Sequence, residues 1–317
     1  MSGTLYGGQA VIEGVMMQGP EGKAIACRRE QGDIVCRVEQ KPALKEKYPI
    51  VKLPIIRGCV SFVMSLVSGM QDLGWSAAQA GEAEEEKLST RDMVIAVVIA
   101  MVVAVVFFVA LPVFVGSFSL QYVGPFGRSL LEGVLRIGLF LGYVILIGRM
   151  PDIRRVFAYH GAEHKTINAY EAGEELSPEN VRRHSVVHTR CGTSFILMTV
   201  LLMIIIFTFV AQVGPVQRVL IKLAMMPLVA GMAYELYRLP LRFPKSLIVR
   251  ILTAPGLAVQ RLTTREPDDA QLEVAICALT SVPGFKKTDG ETEDKKIEDK
   301  KIEDKMIEDK AIEDKMI

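Results

Sequence analysis

Four long apolar runs dominate the chain beyond residue 90, and charged residues interrupt them rarely. They cover residues 92–116, 129–147, 193–213 and 216–237. A helix needs about twenty such residues to cross the hydrocarbon core of a bilayer. The pattern therefore predicts an all-α integral membrane bundle of about four transmembrane helices. Helices 1 and 2 fall within residues 92–149, and helices 3 and 4 within residues 193–237.

Shorter runs separated by turn signals occupy residues 1–48. Between Gln9 and Gln40 the runs AVIEGVMM, KAIACRRE and IVCRVEQ alternate with segments that contain glycine, proline or aspartate. This alternation is typical of antiparallel strands joined by tight turns. We expect a small β-rich N-terminal meander, and because it is too small to bury much apolar area alone, we expect it to dock on the rest of the protein.

Residues 53–80 form a different kind of apolar segment. The uncharged stretch between Arg57 and Asp72 has only about fourteen residues, fewer than a span requires. We therefore predict an interfacial or packed helix. Ser61, Ser65 and Gly69 recur every four residues and could give it a small-residue face for close helix packing, although an ordinary apolar helix fits the same residues. A spanning helix here would place the N-terminus outside.

Basic residues predict the orientation in the membrane. The segment between spans 2 and 3 carries seven of them, and the loop between spans 1 and 2 carries only Arg128. The seven are Arg149, Arg154, Arg155, Lys165, Arg182, Arg183 and Arg190. Short loops rich in lysine and arginine stay in the cytoplasm. We expect a multi-pass protein of the plasma membrane with both termini cytoplasmic, although Arg218 and Lys222 at the outer end of span 4 oppose this rule.

The C-terminal part divides into two predicted regions. Residues 238–285 read as a cytoplasmic segment in which Asp268 to Leu279 forms an amphipathic helix. Residues 286–317 end in a five-residue repeat, IEDK plus one variable residue, from Ile297 onward. A period of five matches neither the helical nor the heptad period, so no apolar stripe persists. We predict a solvated, disordered tail.

Composition narrows the possible functions. Half of the residues are hydrophobic and the formal net charge is only +1, so no nucleic-acid partner is suggested. The five cysteines are odd in number and contain no CxxC pair, which predicts neither a disulfide framework nor a zinc ribbon. The bilayer is the partner that the composition indicates, and the oligomeric state is left open.

All four histidines lie in residues 150–192, which we predict to be a cytoplasmic, His-rich helical loop. They form two pairs with a spacing of four, His160 with His164 and His184 with His188. If both pieces are helical, each pair projects two imidazoles from one face. Two such pairs could converge on one divalent metal ion, with zinc the expected metal.

Glu163 completes the string HGAEH, in which two histidines bind zinc and the glutamate acts as general base toward a water. A catalytic zinc has three protein ligands and one open position. The candidates for further ligands are His184, His188, Cys191 and, as a possible additional ligand, the intramembrane Glu235. An acidic residue inside an apolar run is costly unless it is paired.

Three other interpretations of the loop remain open. Surface histidines beside arginines can bind anionic lipid headgroups, and a metal with all four positions filled would be structural. A two-metal oxidase site is less favoured because four histidines leave it short of ligands. The neighbouring arginines could also hold an anionic substrate group such as a phosphate. Elsewhere, Glu132 and Arg136 are spaced for a structural ion pair on one helix face.

Four separated strings carry a resemblance to a known family. They are GGQAVIEGVMMQGP, HGAEHKTINAYEAGEEL, HTRCGTSF and PGLAVQRLTTREPDDAQLEVAICAL. Together they resemble the YqhQ-like bacterial membrane family, also known as domain of unknown function 1385, from Tyr6 to about Leu279. The resemblance implies a predicted metal-dependent enzyme whose motif falls on His160, Glu163, His164, His184, His188 and Cys191. The repetitive tail does not resemble the family.

These observations lead to two expectations of function. The first is a metal-dependent membrane enzyme, a zinc hydrolase at the cytoplasmic membrane face, with Glu163 as its catalytic base. The second is a non-catalytic scaffold or assembly factor with a structural metal knot. A metal sensor or carrier is a third possibility. The substrate and the reaction cannot be read from the sequence.

Overall fold

The computed structural model describes residues 5–40, 49–81, 90–119, 122–209, 213–239, 243 and 246–286. Four antiparallel strands open the chain and pair in sequence order. They are β1 (Gly7–Val11), β2 (Gly14–Gln18), β3 (Gly22–Arg28) and β4 (Ile34–Gln40). The meander predicted for Gln9 to Gln40 is confirmed. The run AVIEGVMM supplies parts of β1 and β2, because the chain turns at Glu13, which has a positive φ of 48°.

The remainder of the described chain is helical apart from its turns. The helices are α1 (Ile56–Gln79), α2 (Thr90–Val105), α3 (Leu111–Ser119), α4 (Pro125–Ile147), α5 (Pro151–Ala172), α6 (Pro178–Arg182), α7 (Gly192–Thr208), α8 (Pro215–Tyr237), α9 (Leu247–Thr263) and α10 (Asp269–Thr280). A π-helical turn, Val106–Ala110, joins α2 to α3. A short 3₁₀ turn, Pro49–Lys52, precedes α1.

Three segments of the described chain are long and apolar enough to cross a bilayer: Val97–Ser119, Pro125–Ile147 and Pro215–Tyr237. The third predicted span corresponds to α7, which is apolar but has only 17 residues. Large apolar side chains on these helices lie at the surface, with Met101, for example, 62% exposed. Such a surface suits lipid rather than water. The molecule is thus a mostly helical protein with candidate membrane-spanning helices and a small N-terminal sheet.

Helix α4 begins earlier than the Ser-x-x-Glu pair suggested. It starts at Pro125, a residue whose missing N–H and restricted φ suit the first helical turn. Ser129 and Glu132 lie inside the helix and therefore do not cap it. Their side chains contact Arg218 of α8 instead. The predicted start at Ser129 was wrong by four residues because a capping signal and a buried polar contact use the same residue types.

The sheet packs on α5 and α10 to form the main core. Tyr6 and Met17 from the sheet region meet Tyr159 and Ile167 of α5, and Leu272 of α10 closes the cluster. All are at most 2% exposed. The sheet therefore docks as the sequence predicted. Helix α10 is the amphipathic segment predicted from Asp268, whose side chain caps it by accepting from the N–H of Gln271 at 2.8 Å.

Helix α1 packs between the sheet and α8. Lys23 of β3 pairs with the buried Asp72, and Gly58 approaches the backbone of Gly231 so closely that a Cβ there would lie 2.7 Å from its carbonyl oxygen. The small-residue face predicted at Ser61, Ser65 and Gly69 does not form the close contact between α1 and α8, and Ser65 is exposed. Gly58 forms that contact with Gly231 instead.

Several sequence predictions fall outside the described residues. These concern the repeat tail from residue 287 onward, the acidic run Glu82 to Glu86 and the start of span 1 at Ser89. Within residues 238–285, the structure contains a helix that the sequence had not indicated, α9. It begins at Leu247 and packs on α7, where Gly256 faces Ser194.

Candidate metal centre

Helix α5 carries three of the predicted site residues on consecutive turns. His160 and His164 are four residues apart, and their rings lie 4.4 Å from each other, measured between centroids. Glu163 lies between them, with Oε2 at 3.9 Å from His160 Nε2 and 4.0 Å from His164 Nε2. The helical spacing therefore brings two imidazoles and one carboxylate to the same place.

Backbone carbonyls orient both rings. His160 Nδ1 lies 2.9 Å from the carbonyl oxygen of Thr263, and His164 Nδ1 lies 2.6 Å from that of Val186. A carbonyl can only accept, so each Nδ1 must donate and carry the ring proton. A ring held in this way presents the lone pair of Nε2 when it is neutral. Histidine ligands in metal sites are held in the same way by the other ring nitrogen.

Cys191 supplies a third ligand atom. Its Sγ lies 3.3 Å from His160 Nε2, and His160, His164 and Cys191 each offer one such atom within 4.8 Å of the others. Cys191 is the N-cap residue of α7. The positive end of a helix favours negative charge, which suits a thiolate ligand. The thiol therefore meets the two imidazoles across the junction between α5 and α7.

Burial separates the cluster from solvent. His164 is 1% and Glu163 4% exposed, while His160 is less buried than either. Burial lowers the pKa of His164 and raises the pKa of the Glu163 carboxyl, whose charge is partly supported by the N–H of Gly8 in β1. The imidazole is therefore held in the neutral form that binds metals.

The second histidine pair behaves differently from the prediction. Residues 183–191 are not helical, so His184 and His188 do not share a helix face. His184 Nε2 faces Glu174 at 3.2 Å, outside the cluster. His188 lies closer, with its ring 5.7 Å from that of His164, and burial lowers its pKa. The prediction that this pair lies on a helix was wrong. Lys165 of α5 donates to the carbonyl oxygens of Arg182 and His184, so the chain lies against α5 there as a non-helical segment.

Glu235 also lies outside the cluster. Arg57 of α1 donates from Nε to Glu235 Oε1 at 2.7 Å, and the backbone N–H of Ile55 approaches the same oxygen at 3.4 Å. The arginine partner thus offsets the unfavourable free energy of placing a carboxylate in an apolar helix. The Arg57–Glu235 pair joins α1 to α8 near the C-terminal end of α8.

Other residues that position the cluster were missed by the sequence analysis. Gln260 of α9 accepts from the N–H of His188 at 3.0 Å and donates to its carbonyl at 2.9 Å. A Cβ on Gly161 would lie only 2.0 Å from the carbonyl oxygen of Arg265, so glycine lets the segment carrying Thr263 pass close to α5. Both Gln260 and Gly161 lie inside the strings that carry the family resemblance. Their place in these strings was the one feature of the sequence that could have indicated their role.

The donor set fits a divalent metal. His164 Nε2 is buried, and apart from the Cys191 thiol no group of the described residues is placed to hydrogen-bond to it; leaving such an acceptor unmet is costly. It lies in the same cluster as a second imidazole lone pair and a thiol. Two imidazoles and one thiolate suit zinc, and three ligands match the number found in catalytic zinc sites.

Comparison with known proteins agrees with the motif strings. The chain matches a family described as "Protein of unknown function (DUF1385)" over residues 53–284. An uncharacterized protein YqhQ of Bacillus subtilis (strain 168) is 34% identical over 290 residues, which are 86% of this chain and 90% of that protein. No solved structure matches the chain. Neither match assigns an activity, so the enzyme label implied by the resemblance stays a prediction.

Proposed function

The chain belongs to the DUF1385 family, and we propose that it is a metal-dependent membrane enzyme, a hydrolase that uses a zinc ion held by His160, His164 and Cys191. The observation that carries the proposal is the approach of these three ligand atoms to within 4.8 Å of one another. Such an ion would supply Lewis acidity and an activated water at neutral pH.

Glu163 is the proposed general base. Its carboxylate lies beside both imidazole Nε2 atoms at 3.9 and 4.0 Å, and it is not part of the three-ligand group. Burial raises the pKa of this carboxyl, which brings its proton affinity closer to what a base needs near neutral pH. The Gly8 N–H orients the carboxylate, so β1 takes part in the site.

A pocket on the same helix supports an anionic substrate. It has a volume of about 460 Å³ and is lined by Pro151, Arg154, Arg155, Ala158, Arg265 and Glu266. Three of its lining residues are arginines, which bind carboxylates and phosphates with paired hydrogen bonds. Arg155 already engages Glu13, with Nε at 2.6 Å from Oε1. Arg154 and Arg265 are therefore the groups that we assign to an anionic substrate or lipid headgroup.

A structural metal knot is the second candidate function, and His188 is the observation that favours it. Its Nε2 is buried and faces Oε2 of Glu171 at 3.5 Å, and its ring lies 5.7 Å from that of His164. If His188 turned toward the cluster, it would fill the fourth position and close the site. The protein would then act as a membrane scaffold without catalysis.

We also propose four spans, with both termini and α5 on the cytoplasmic side of the plasma membrane. The apolar helix α7 would be the additional span, since it packs against both α4 and α8. The seven basic residues between spans 2 and 3 favour the cytoplasm for α5. The candidate centre would then lie at the cytoplasmic membrane face.

Cobalt substitution tests the proposed function in the full-length chain purified in detergent. Cobalt(II) replaces zinc, and its visible spectrum reports thiolate ligation and coordination number. We expect about one ion per chain with a thiolate-to-cobalt band, and azide should change the spectrum because one position is open. His164→Ala and Cys191→Ala should lose the ion, whereas His184→Ala, a matched histidine outside the cluster, should keep it.

Glu163→Gln and His188→Ala separate the two candidates. A general base can be replaced by its uncharged isostere, so Glu163→Gln should keep the ion and the azide response. If azide perturbs His188→Ala but not the wild type, His188 is a fourth ligand and the structural knot is the correct interpretation. A wild-type protein that binds less than about a tenth of an ion per chain under saturating metal would overturn both.

A further inference from the structure

A second group of buried charged residues lies between helices α4 and α8, within the candidate spans. Glu132 is its centre and is 1% exposed. Glu132 Oε1 lies 3.1 Å from Arg128 Nε and 3.2 Å from Arg218 Nε, and its other oxygen pairs with Lys222. Arg136 lies one helical turn further along α4. We call these five residues the buried cation cluster.

The ion pair predicted between Glu132 and Arg136 is not what the structure contains. Arg136 donates instead from Nε to the carbonyl oxygen of Phe108 at 2.6 Å, where the π-helical turn occurs. Its Nη1 faces the sulfur of Met203 at 3.1 Å. A thioether is a weak acceptor, so the guanidinium charge of Arg136 is poorly compensated.

Among the described residues, the buried cation cluster has too few carboxylates to be neutral. Arg128, Arg218 and Lys222 contact one acidic side chain, Glu132, and Arg136 lies one helical turn away and contacts the carbonyl oxygen of Phe108 instead. Glu132 is the sole acidic residue of the sequence between Met93 and Met150. Glu235 is the sole one between Cys191 and Arg238, and it pairs with Arg57. Arginine does not lose its proton in proteins. Even with Lys222 neutral, two guanidinium groups therefore contact the one carboxylate of the cluster, and the third, that of Arg136, has no carboxylate partner among the described residues.

Arg218 presents hydrogen-bond donors that nothing in the described chain accepts. The residue is 0% exposed, and its Nη1 has no hydrogen-bond partner among the described residues. The same holds for Nη2 of Arg136, which is 8% exposed. Leaving charged donors buried and unmet is among the largest penalties in a folded protein. Two such groups beside one carboxylate indicate that an anion from outside the chain completes them.

The buried cation cluster is far from the candidate metal centre. Arg128 and Arg218 lie in the first turns of α4 and α8, whereas α5 follows the other end of α4. Arg136 is eleven residues from either end of α4, which places it about 17 Å along a helix that rises about 1.5 Å per residue. Charges at this depth in a span face the bundle interior and mark ligand or ion sites.

We propose that the buried cation cluster binds the phosphate oxyanion of a ligand, with Arg218 and Arg136 donating to it. The guanidinium fork matches the geometry of phosphate oxygens and is less strongly hydrated than an ammonium group. The phosphate belongs to an anionic phospholipid or is free inorganic phosphate. The cluster explains why Arg218 and Lys222 oppose the charge rule that predicts the orientation, since they are buried rather than placed in a loop.

Ligand-dependent thermal unfolding of the delipidated full-length protein in detergent tests the proposal. A ligand that binds only the folded state raises the midpoint. We expect phosphatidylglycerol or inorganic phosphate to raise it by about 5 °C near saturation. Diacylglycerol with the same acyl chains, or chloride at the same ionic strength, should leave it unchanged. A response to the phospholipid alone identifies a lipid ligand, and a response to inorganic phosphate identifies a free one.

Three variants decide where the phosphate binds. Arg218→Gln should weaken the response at least about tenfold in ligand concentration, because it removes a charged donor. Arg149→Gln, an exposed arginine just beyond α4, is the matched control and should respond like the wild type. Glu132→Gln should respond at lower ligand concentration because it removes the competing carboxylate.

The proposal is overturned if no phosphate-containing ligand shifts the wild-type midpoint and native mass spectrometry finds no bound phospholipid. This wild-type comparison also decides the question if Arg218→Gln does not fold. A purely internal ion network predicts a different pattern, in which Glu132→Gln is destabilised and no ligand restores it. Metal content is measured separately, so failure at the candidate metal centre does not affect the outcome.

Discussion

Individual polar atoms decide what the candidate metal centre can do. The carbonyls of Val186 and Thr263, 22 and 103 residues away in sequence, hold the Nδ1 protons of His164 and His160. The lone pairs are thereby directed toward Cys191, and Nε2 of His164 is a buried acceptor that a metal ion could satisfy. At the residue scale, metal binding would supply the missing interaction of an otherwise unsatisfied buried group.

Two cysteine sulfurs outside the candidate metal centre give a prediction at the same scale. Cys36 on β4 and Cys277 on α10 have their Sγ atoms 3.2 Å apart, and both are free thiols. The hydrogen bond between the two sulfurs lowers the pKa of Cys36 to about 6 and raises that of Cys277. The sequence had suggested no paired cysteines, because residues 241 positions apart form no recognisable motif.

We predict that Cys36 is alkylated by iodoacetamide as a thiolate at neutral pH. Its rate should rise with pH and reach half of its maximum near pH 6, because only the thiolate reacts. Peptide mass spectrometry after short labelling pulses at several pH values measures this rate. In Cys277→Ala the hydrogen bond is lost and the midpoint should move upward toward that of an ordinary thiol. A wild-type midpoint above pH 8 would contradict the assigned hydrogen bond.

At the scale of elements, glycine contacts determine how closely α1 approaches α8. A Cβ on Gly231 would lie 2.6 Å from the carbonyl oxygen of Ile55 and 2.8 Å from the sulfur of Cys59. Backbone atoms cannot move aside without separating the helices. Small residues at such contacts let membrane helices pack by dispersion forces. The Arg57–Glu235 pair lies beside this contact, so the two interactions depend on the same helix separation.

We predict that Gly231→Ala lowers the free energy of unfolding by on the order of 1–3 kcal/mol, because the added methyl group overpacks the interface. Gly138→Ala on α4 is the matched control, since its Cβ would have no neighbour within 4 Å. Alanine is the better helix former, so this control should be unchanged or slightly stabilised. Thermal unfolding of both variants in the same detergent gives the comparison, and equal midpoints would exclude the close contact.

At the scale of the whole molecule, the two candidate sites lie toward opposite ends of the bundle. The candidate metal centre lies where α5, α7 and the Thr263 segment meet the sheet, and the buried cation cluster lies in the first half of α4 and α8. With the orientation proposed above, the former faces the cytoplasm. The orientation therefore decides which compartment would supply the substrate of the proposed enzyme.

We predict that a cysteine at position 174 is cytoplasmic, because Glu174 is exposed within the segment between spans 2 and 3 that carries seven basic residues. In Glu174→Cys, a membrane-impermeant maleimide should label this position only after the cells are lysed. The parent chain, carrying its five native cysteines, measures the background. Labelling of position 174 in intact cells would reverse the orientation and place the candidate metal centre outside.

Local patterns in the sequence were enough for the elements themselves. Run length predicted the candidate spans, alternation predicted the N-terminal meander, and the spacing of His160 and His164 predicted two imidazoles on one helix face. These features depend on residues within one or two turns of each other, so chain periodicity determines them. The same reasoning failed for His184 and His188, because a long-range contact of Lys165 outweighs helical spacing there.

Only the tertiary structure decided which distant residues meet. The sequence offered Cys191 as a ligand and Glu235 as a possible additional one, and the structure brings Cys191 to the histidines while Arg57 pairs with Glu235. The structure likewise buries Arg218 against Glu132, 86 positions away in the sequence. The sequence had suggested only that Arg218 was a charged residue at the outer end of a span. Such contacts depend on how helices pack, and hydrophobic periodicity carries no information about which helix lies beside which. The sequence therefore determined the elements and their chemistry, and packing determined the sites.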